Sequence, residues 1–142
     1  MSSQYCTFRL DKHLFGVPVG AVQEVLKQQE LTSVPRAPSV VRGLINLRGQ
    51  IITTLELRSR LGLPPRDSDL QGINVVVRTG DGEVVSLLVD EIGDVLEPGE
   101  EAFEDLPETV PAAIRGVVTN VCKLDGQLML VLDTERAVQI GE

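Results

Sequence analysis

The chain has 142 residues, of which 42% are hydrophobic and 24% charged, and its formal net charge is −8. This length is enough for one domain or for two small barrels that share a core, and it excludes a typical two-domain enzyme. The excess of acidic residues argues against nucleic acid as the main partner.

The first element that the sequence predicts is a β-hairpin. Residues 4–10 and 14–19 have the apolar-rich pattern of strands, and the polar residues 11–13 between them favour a turn. Pro18 indicates a sheet edge or the end of the second strand, because proline lacks the amide hydrogen that a strand ladder uses.

A short helix and a connector are predicted next. Val22, Val25 and Leu26 have the i, i+3, i+4 spacing of one helical face, which predicts one or two helical turns over residues 20–26. The two prolines within residues 33–38 favour an extended connector.

The rest of the chain is organised around residues 43–57. Two apolar runs lie on either side of Arg48-Gly49, which predicts a strand, a tight turn and a second strand, with Arg48 at the bend. A cation at such a corner is either a solvated turn residue or a side chain that faces a partner. A single helical turn is predicted over residues 58–63.

The second half opens with another predicted hairpin, formed by residues 73–78 and 84–89 around a glycine-rich turn. Residues 90–108 hold nine acids and no base, which predicts a solvated acidic loop. The regular oxygen spacing of an EF-hand calcium loop is absent from it. The last predicted strands cover residues 114–121 and 127–132.

The sequence contains an internal repeat. Its matching blocks are residues 15–26 with 85–96, residues 41–45 with 114–118, and residues 49–57 with 126–134. These blocks predict a mainly β fold of two tandem small barrels related by a pseudo-two-fold, within one domain over residues 1–142. The first copy is expected to cover about residues 13–66 and the second about residues 67–142, with strand 4–10 exchanged between them. Arg48 of the first copy aligns with Asp125 of the second.

The charge is distributed unevenly along the chain. Residues 27–66 carry seven bases and two acids, whereas residues 67–142 carry four bases and seventeen acids. Oppositely charged halves favour a protein with two different protein partners. Unequal solvation of two surfaces explains the same distribution, so charge alone leaves both interpretations open.

Catalytic, metal and cofactor sites have little support in the sequence. His13, the one histidine, lies in a polar turn with no nucleophile motif beside it. A zinc site needs about four His or Cys ligands at short spacing, whereas this chain has one histidine and two cysteines that lie far apart. No phosphate-binding glycine motif occurs either. Cys6 and Cys122 lie in apolar strand patterns and are interpreted as reduced core thiols. We therefore predict no enzymatic activity and no cofactor.

A cytoplasmic location is expected. No apolar run approaches the roughly 20 residues that a membrane helix needs. The N-terminal residues also lack the basic region and the apolar stretch of a secretory signal.

The chain resembles the CheW family of chemotaxis coupling proteins from Tyr5 to Val138. The motifs that carry the resemblance are Phe15-Gly16-Val17, Val22-Gln23-Glu24-Val25, Val34-Pro35-x-x-Pro38, Arg42-Gly43-Leu44-Ile45-Asn46-Leu47-Arg48-Gly49 and Leu88-Val89-Asp90-Glu91-Ile92. The resemblance implies two SH3-like five-stranded barrels around a shared apolar groove, and a scaffold without enzymatic activity in bacterial chemotaxis signal transduction. One surface is then expected to dock on the regulatory domain of a CheA-type histidine kinase. The groove is expected to receive the cytoplasmic signalling tip of a methyl-accepting chemoreceptor.

The resemblance also implies the residues of the two surfaces. The receptor-binding surface is expected to comprise Val19, Val22, Glu24, Val25, Arg48, Gly49, Ser86 and Ile92. The kinase-binding surface is expected near Arg42, Gly43, Asn74, Val75 and Val76. We further expect Glu24 to pair with Arg48 and to orient its guanidinium at the edge of the groove.

The residue pattern gives the groove independent support. Val22 and Val25 share one face of the predicted helix, and Ile92 and Val95 hold the matching places in the other copy. Together they are expected to form an exposed apolar groove that a helical hairpin can enter. The alternative interpretation is that these side chains are ordinary core.

Three other functions compete with this prediction. The first is an adaptor of a non-flagellar chemosensory array, such as one for surface motility. The second is a regulatory domain detached from a larger CheA-like or CheV-like protein. The third is a small hydrolase or metal-binding protein, against which the single histidine argues.

Overall fold

The computed structural model describes residues 3–27, 29–66 and 72–139, and all structural statements refer to these ranges. The strands are β1 (Tyr5–Leu10), β2 (His13–Pro18), β3 (Val22–Leu26), β4 (Val41–Leu47), β5 (Gln50–Glu56), β6 (Ile73–Arg78), β7 (Val84–Val89), β8 (Glu91–Leu96), β9 (Phe103–Glu104), β10 (Val118–Leu124) and β11 (Gln127–Leu132). The helices are α1 (Leu57–Arg60), α2 (Ala112–Arg115) and α3 (Thr134–Ala137), and single 3-10 turns cover Val19–Ala21 and Glu100–Ala102. None of the helices in the described ranges has the length and apolar character needed to cross a bilayer.

The predicted hairpins are confirmed. β1 pairs with β2, β4 with β5, β6 with β7 and β10 with β11, each pair antiparallel. Each forms where polar or glycine-containing residues separate two apolar runs, so the turn chemistry and the strand pattern agree. Pro18 is the last residue of β2, as its missing amide hydrogen predicts.

The strands form two sheets, and each sheet mixes strands from both halves of the chain. The first sheet has the order β3-β6-β7-β5-β4, and the second has the order β8-β1-β2-β11-β10-β9. Two parallel pairings bring the halves together, β5 with β7 and β11 with β2. Thr54 lies opposite Ser86 in the first pairing, and the repeat-equivalent Val131 lies opposite Gly16 in the second. The two sheets therefore follow one plan.

The fold is mainly β with short connecting helices, as predicted. The two sheets agree with the predicted pair of SH3-like barrels, except that the second sheet has six strands rather than five because the short β9 adds to its edge. The chain segments that build each barrel differ from the expected copies, 13–66 and 67–142. The first sheet takes residues 22–56 and 73–89, and the second takes residues 5–18 and 91–132. Whole hairpins are exchanged, rather than strand 4–10 alone. The exchange places β2 and β7, which are apolar on both faces, at the centres of the sheets, where both faces are covered.

A shared core joins the two sheets. Phe8 and Phe15 stack within it, with ring centroids 5.8 Å apart and an interplanar angle of 14°, and both are fully buried. Leu87 of the first sheet belongs to the same cluster. The opposite faces of the strands fill the two barrels separately, Ile45, Leu47, Ile52 and Val76 in the first and Leu14, Cys122, Met129 and Val131 in the second.

Three predicted local elements are wrong. The predicted helix over residues 20–26 is a 3-10 turn followed by β3, because β6 pairs with this segment and β-branched valines suit a strand. The predicted acidic loop over residues 90–108 contains β8 and β9, since an edge strand tolerates acids on its solvated side. The predicted strand over residues 114–121 is divided between α2 and β10.

Candidate functional site

Arg48 is displayed at the tip of the β4–β5 hairpin by an unusual backbone conformation. Its φ is +53° and that of Gly49 is +89°, the left-handed values that a two-residue hairpin turn requires. The Asn46 Oδ1 atom accepts a hydrogen bond from the Gly49 amide at 2.9 Å, which closes the turn. A non-glycine residue in this region is uncommon, and such residues concentrate at functional sites.

The predicted ion pair between Arg48 and Glu24 is present. Arg48 Nη2 donates to Glu24 Oε1, which ties the hairpin tip to the edge strand β3. The Arg48 side chain is 70% exposed and the Glu24 side chain 24% exposed. The guanidinium is therefore held in one direction while most of its surface remains available to a partner.

Exposed apolar side chains lie on the edge strands β3 and β8. Val25 is 43% exposed on β3, and Ile92 and Val95 are 40% and 56% exposed on β8. Val22 is partly buried and packs against the shared core, so it presents less surface than Val25. Val25 and Val95 occupy equivalent positions of the repeat. The apolar edges of the two sheets thus match each other across the pseudo-symmetry.

These two edges both begin where the chain passes between the sheets. β3 starts directly after the 3-10 turn Val19–Ala21, which leads out of the second sheet. A single residue, Asp90, separates the start of β8 from the end of β7, which lies in the first sheet. Because residues 22–26 form a strand, Val22 and Val25 do not share the predicted helical face. The two edge strands instead place the exposed valines Val25 and Val95 at corresponding positions.

Five residues expected on the partner surfaces are buried, and four of them carry side chains. Ser86 and Val76 are fully buried, and Asn74 and Val75 are each 1% exposed. Ser86, Asn74 and Val76 face the interior of the first barrel, and Val75 faces the shared core. Their strands are covered on both faces, so these side chains cannot touch a partner in this conformation.

The two remaining candidates for the kinase surface, Gly43 and Arg42, differ in their exposure. Gly43 is buried, and a Cβ atom there would lie 2.8 Å from the carbonyl oxygen of Thr32. Close approach of the two backbones explains this glycine. Arg42 is exposed and remains available to a partner.

The Ser86 hydroxyl donates a hydrogen bond to Asn74 Oδ1 at 2.9 Å inside the barrel. Ser86→Ala leaves this buried acceptor without its partner, so we expect the free energy of unfolding to fall by about 1–3 kcal/mol. Urea unfolding measures the loss, and the double variant Asn74→Leu/Ser86→Ala should recover part of it because both polar groups are removed. Unchanged stability with lost partner binding would instead place Ser86 at the surface.

The structure also exposes apolar residues that the sequence analysis did not select. Ile51 is 60% exposed, and its repeat equivalent Leu128 is 43% exposed. Each lies one residue inside the strand that follows a hairpin turn, Arg48-Gly49 or Asp125-Gly126. The internal repeat could have indicated these two residues, because in both copies a large apolar residue directly follows a Gly-Gln pair.

A cluster of buried charges lies beside the passage from β7 to β8. We call Glu56, Arg58, Arg66 and Asp90 the Asp90 ion cluster. Arg58 Nε and Nη2 donate to the two carboxylate oxygens of Asp90 at 3.0 and 2.6 Å. Arg66 donates to Asp90 and also, at 2.6 Å, to Glu56. The four side chains are between 8% and 15% exposed.

Burial by itself would raise the pKa of Asp90, but its hydrogen bonds from Arg58 and from the Asp11 amide, and the charge of Arg66, outweigh burial and lower it. The pKa of Arg58 is raised, mainly by its hydrogen bond to Asp90. Asp90 and Arg58 therefore stay ionised together over the physiological range.

The lowered pKa of Asp90 predicts a specific acid dependence of stability. A carboxyl group with a depressed folded-state pKa stabilises the protein above its unfolded value, about 3.9, and this contribution is lost as the pH falls through the folded value. We therefore expect Asp90→Asn to lower the melting temperature at pH 7 and the difference from wild type to shrink below about pH 4. A difference that persists undiminished at pH 3 would show that the Asp90 charge does not contribute.

The cysteines give no sign of nucleophilic chemistry. Both are free thiols, and burial raises the pKa of Cys6 and of Cys122, which disfavours the reactive thiolate. Within the described ranges no group of three or more His, Cys, Asp or Glu residues is arranged to hold a metal ion.

Known proteins resemble this chain along nearly its whole length. The family model of the CheW-like domain matches residues 4–142. The chemotaxis protein CheW of Thermotoga maritima is 30% identical over 135 residues, covering 94% of this chain and 85% of that protein. A probable chemotaxis protein CheW of Rhizobium etli is 28% identical over 128 residues, covering 90% and 82%. The crystal structure of the scaffolding protein TtCheW of Thermoanaerobacter tengcongensis has a TM-score of 0.82 at 28% identity, covering 93% of this chain and 89% of that one.

Proposed function

Because this chain belongs to the CheW-like family, we propose that it holds a chemoreceptor signalling tip and a CheA-type histidine kinase in register. Its function is that of a chemotaxis coupling adaptor, and it is not an enzyme. We further propose which residues meet each of these two partners. We also propose that the protein acts in the cytoplasm, peripheral to membrane-bound receptor arrays.

The proposed receptor surface is built on the edge strands and the β4–β5 tip. It comprises Val19, Val22, Glu24, Val25, Arg48, Gly49, Ile92 and Val95. The observation that carries it is the Arg48–Glu24 pair, which ties an exposed guanidinium to the same edge strand, β3, that carries the exposed side chain of Val25. A sheet edge that carries both a fixed cation and exposed apolar side chains suits an amphipathic helical hairpin, whose apolar stripe needs cover and whose flanks carry charges.

The proposed kinase surface lies at the ends of the barrels. Ile51 and Leu128 expose apolar side chains at equivalent positions of the two hairpin tips, and Arg42 is exposed on β4. Isolated exposed apolar residues are common. A symmetry-related pair at two barrel ends supports docking of a partner that is itself built of paired barrels.

Reconstitution with receptor-containing membranes and kinase tests the proposal. Wild-type protein is expected to raise the rate of kinase autophosphorylation. Val25→Asp and Val95→Asp should abolish the increase while leaving kinase binding intact, since a buried charge at an apolar contact is strongly unfavourable. Leu128→Asp should instead weaken kinase binding and leave receptor binding intact. The proposal fails if wild-type protein binds neither partner, or if all three variants behave like wild type.

A further inference from the structure

The chain passes from the first sheet to the second at a single residue, Asp90. β7 ends at Val89 in the first sheet, and β8 begins at Glu91 in the second. The Asp90 amide donates to the carbonyl oxygen of Arg9 on β1 at 3.0 Å, so the backbone of Asp90 already pairs with a strand of the second sheet. A one-residue passage transmits any displacement of Asp90 directly to the start of β8.

The Asp90 carboxylate is held from three separate parts of the fold. Arg58 belongs to α1 and Arg66 to the segment that follows it, and both follow strand β5 of the first sheet. Asp11, whose amide donates to Asp90 Oδ2 at 2.7 Å, lies in the β1–β2 turn of the second sheet. Arg58 is itself fixed by donating to the carbonyl oxygen of Pro64 at 2.8 Å. The carboxylate therefore bridges the two sheets at the passage.

Among the described residues, the corresponding passage in the other half has no such bridge. The repeat equivalent of Asp90 is Gly20, which has no side chain and lies in the longer passage Val19–Ala21. The equivalent of Arg58 is Glu135, whose carboxylate accepts a hydrogen bond directly from the Gly80 amide at 2.8 Å. The first hairpin turn is thus capped by an aspartate that two arginines hold, whereas the second is capped by Glu135 from outside the turn and by Asp81 within it.

The strand that depends on this bridge is exposed and held on one side only. β8 is the outer strand of the second sheet, paired with β1 through an irregular register. Five of its six residues are exposed, and Leu96 alone is partly buried. Beyond strand pairing, the Thr7 hydroxyl donates to the carbonyl oxygen of Asp94 at 2.6 Å. An exposed edge strand with so little buried side-chain surface has few other contacts to fix its first residues.

We propose that Asp90 is a positioning residue for the receptor-facing edge: clamped by Arg58 and Arg66, it sets where β8 begins and hence how Ile92 and Val95 are presented. This inference rests on the proposed receptor surface. Asp90 acts through β8 and touches no partner itself, since its side chain is 12% exposed and is turned toward the two arginines.

Hydrogen exchange and binding measurements on the full chain test this role. The variants are Asp90→Ala, the milder Asp90→Asn, which keeps the shape and one acceptor, and Arg66→Ala, which leaves the Arg58–Asp90 pair. Glu135→Ala is the matched control, because it removes the cap of the equivalent turn in the other half. Amide exchange is followed in β8 and β3, and binding is measured to a soluble receptor signalling-tip fragment and to the kinase regulatory domain.

The Asp90 variants are expected to speed exchange in β8 and not in β3, and to weaken binding of the tip fragment about tenfold while kinase binding stays within about twofold. Arg66→Ala should show the same pattern more weakly, and Glu135→Ala should leave both β8 exchange and tip binding at wild-type values. Unchanged exchange in β8, or equal acceleration in β3 and β8, would overturn the inference. A wild-type protein that fails to bind the tip contradicts the proposed receptor surface instead, and the exchange pattern then still decides whether Asp90 positions β8.

Discussion

Arg48→Glu is expected to lower affinity for the receptor tip by roughly 30-fold or more, the loss of about 2 kcal/mol that marks an interface hot spot. The reversed charge both removes the exposed cation and repels Glu24, with which Arg48 now pairs. The free energy of unfolding should change by less than about 1 kcal/mol, because the pair is solvent-exposed. Titration of a receptor-tip fragment and urea unfolding measure the two quantities separately.

Two control variants separate a contact from a structural effect. Arg48→Asn keeps a residue that tolerates the left-handed backbone of the turn, so it should lose tip affinity with an unchanged melting temperature. The charge swap Glu24→Arg/Arg48→Glu restores the ion pair with reversed polarity. If the swap recovers binding, Arg48 acts only through its pair; if binding stays lost, the guanidinium itself meets the receptor. A large fall in stability in either single variant would make Arg48 structural.

Much of the fold followed from local pattern. The hairpins were predictable because turn residues and apolar runs alternate along the chain, and the duplicated plan followed from the repeat. The Glu24–Arg48 pair was also expected, and the structure contains it. The hairpins and the duplicated plan depend on neighbouring residues or on blocks that repeat, so one sequence carries enough information to predict them. The pair joins residues 24 apart in the chain, and it was expected from the receptor surface that the family resemblance implies.

Other features depend on contacts distant in the chain, and there the predictions failed. The spacing of Val22, Val25 and Leu26 suits a helix, but pairing with β6 makes the segment a strand. Ser86 was expected at the surface because the family resemblance implies it there, yet its strand lies between β5 and β6 and is covered on both faces. A polar residue can be placed in a central strand when a neighbour satisfies it, as Asn74 does here.

The exchange of hairpins between the sheets was only partly foreseen. The repeat indicates that two similar units exist, but it does not say which hairpin joins which sheet. That choice depends on the parallel pairings of β5 with β7 and β11 with β2, which join residues far apart in sequence. Non-local pairings of this kind leave no local signature in the chain.

Phe15→Ala is expected to cost about 3–5 kcal/mol of unfolding free energy, a large share of the roughly 5–15 kcal/mol of a typical domain. Phe15 is fully buried, stacks on Phe8 and lies in the core that both sheets share. The two barrels should therefore unfold together in a single transition at a melting temperature lower by roughly 10 °C or more. Thermal unfolding followed by circular dichroism, with urea unfolding for the free energy, measures both.

Ile51→Ala is the matched control, since Ile51 is also a large apolar residue but is 60% exposed. Its stability should stay within about 0.5 kcal/mol of wild type, because a surface truncation leaves no cavity. Two separate transitions in Phe15→Ala, or a loss below about 1 kcal/mol, would mean that the barrels do not depend on a common core. A single transition at reduced temperature means that the sheets stabilise one another through Phe8 and Phe15. The edges β3 and β8 are then held on one rigid body, which is the condition for presenting both to a single receptor tip.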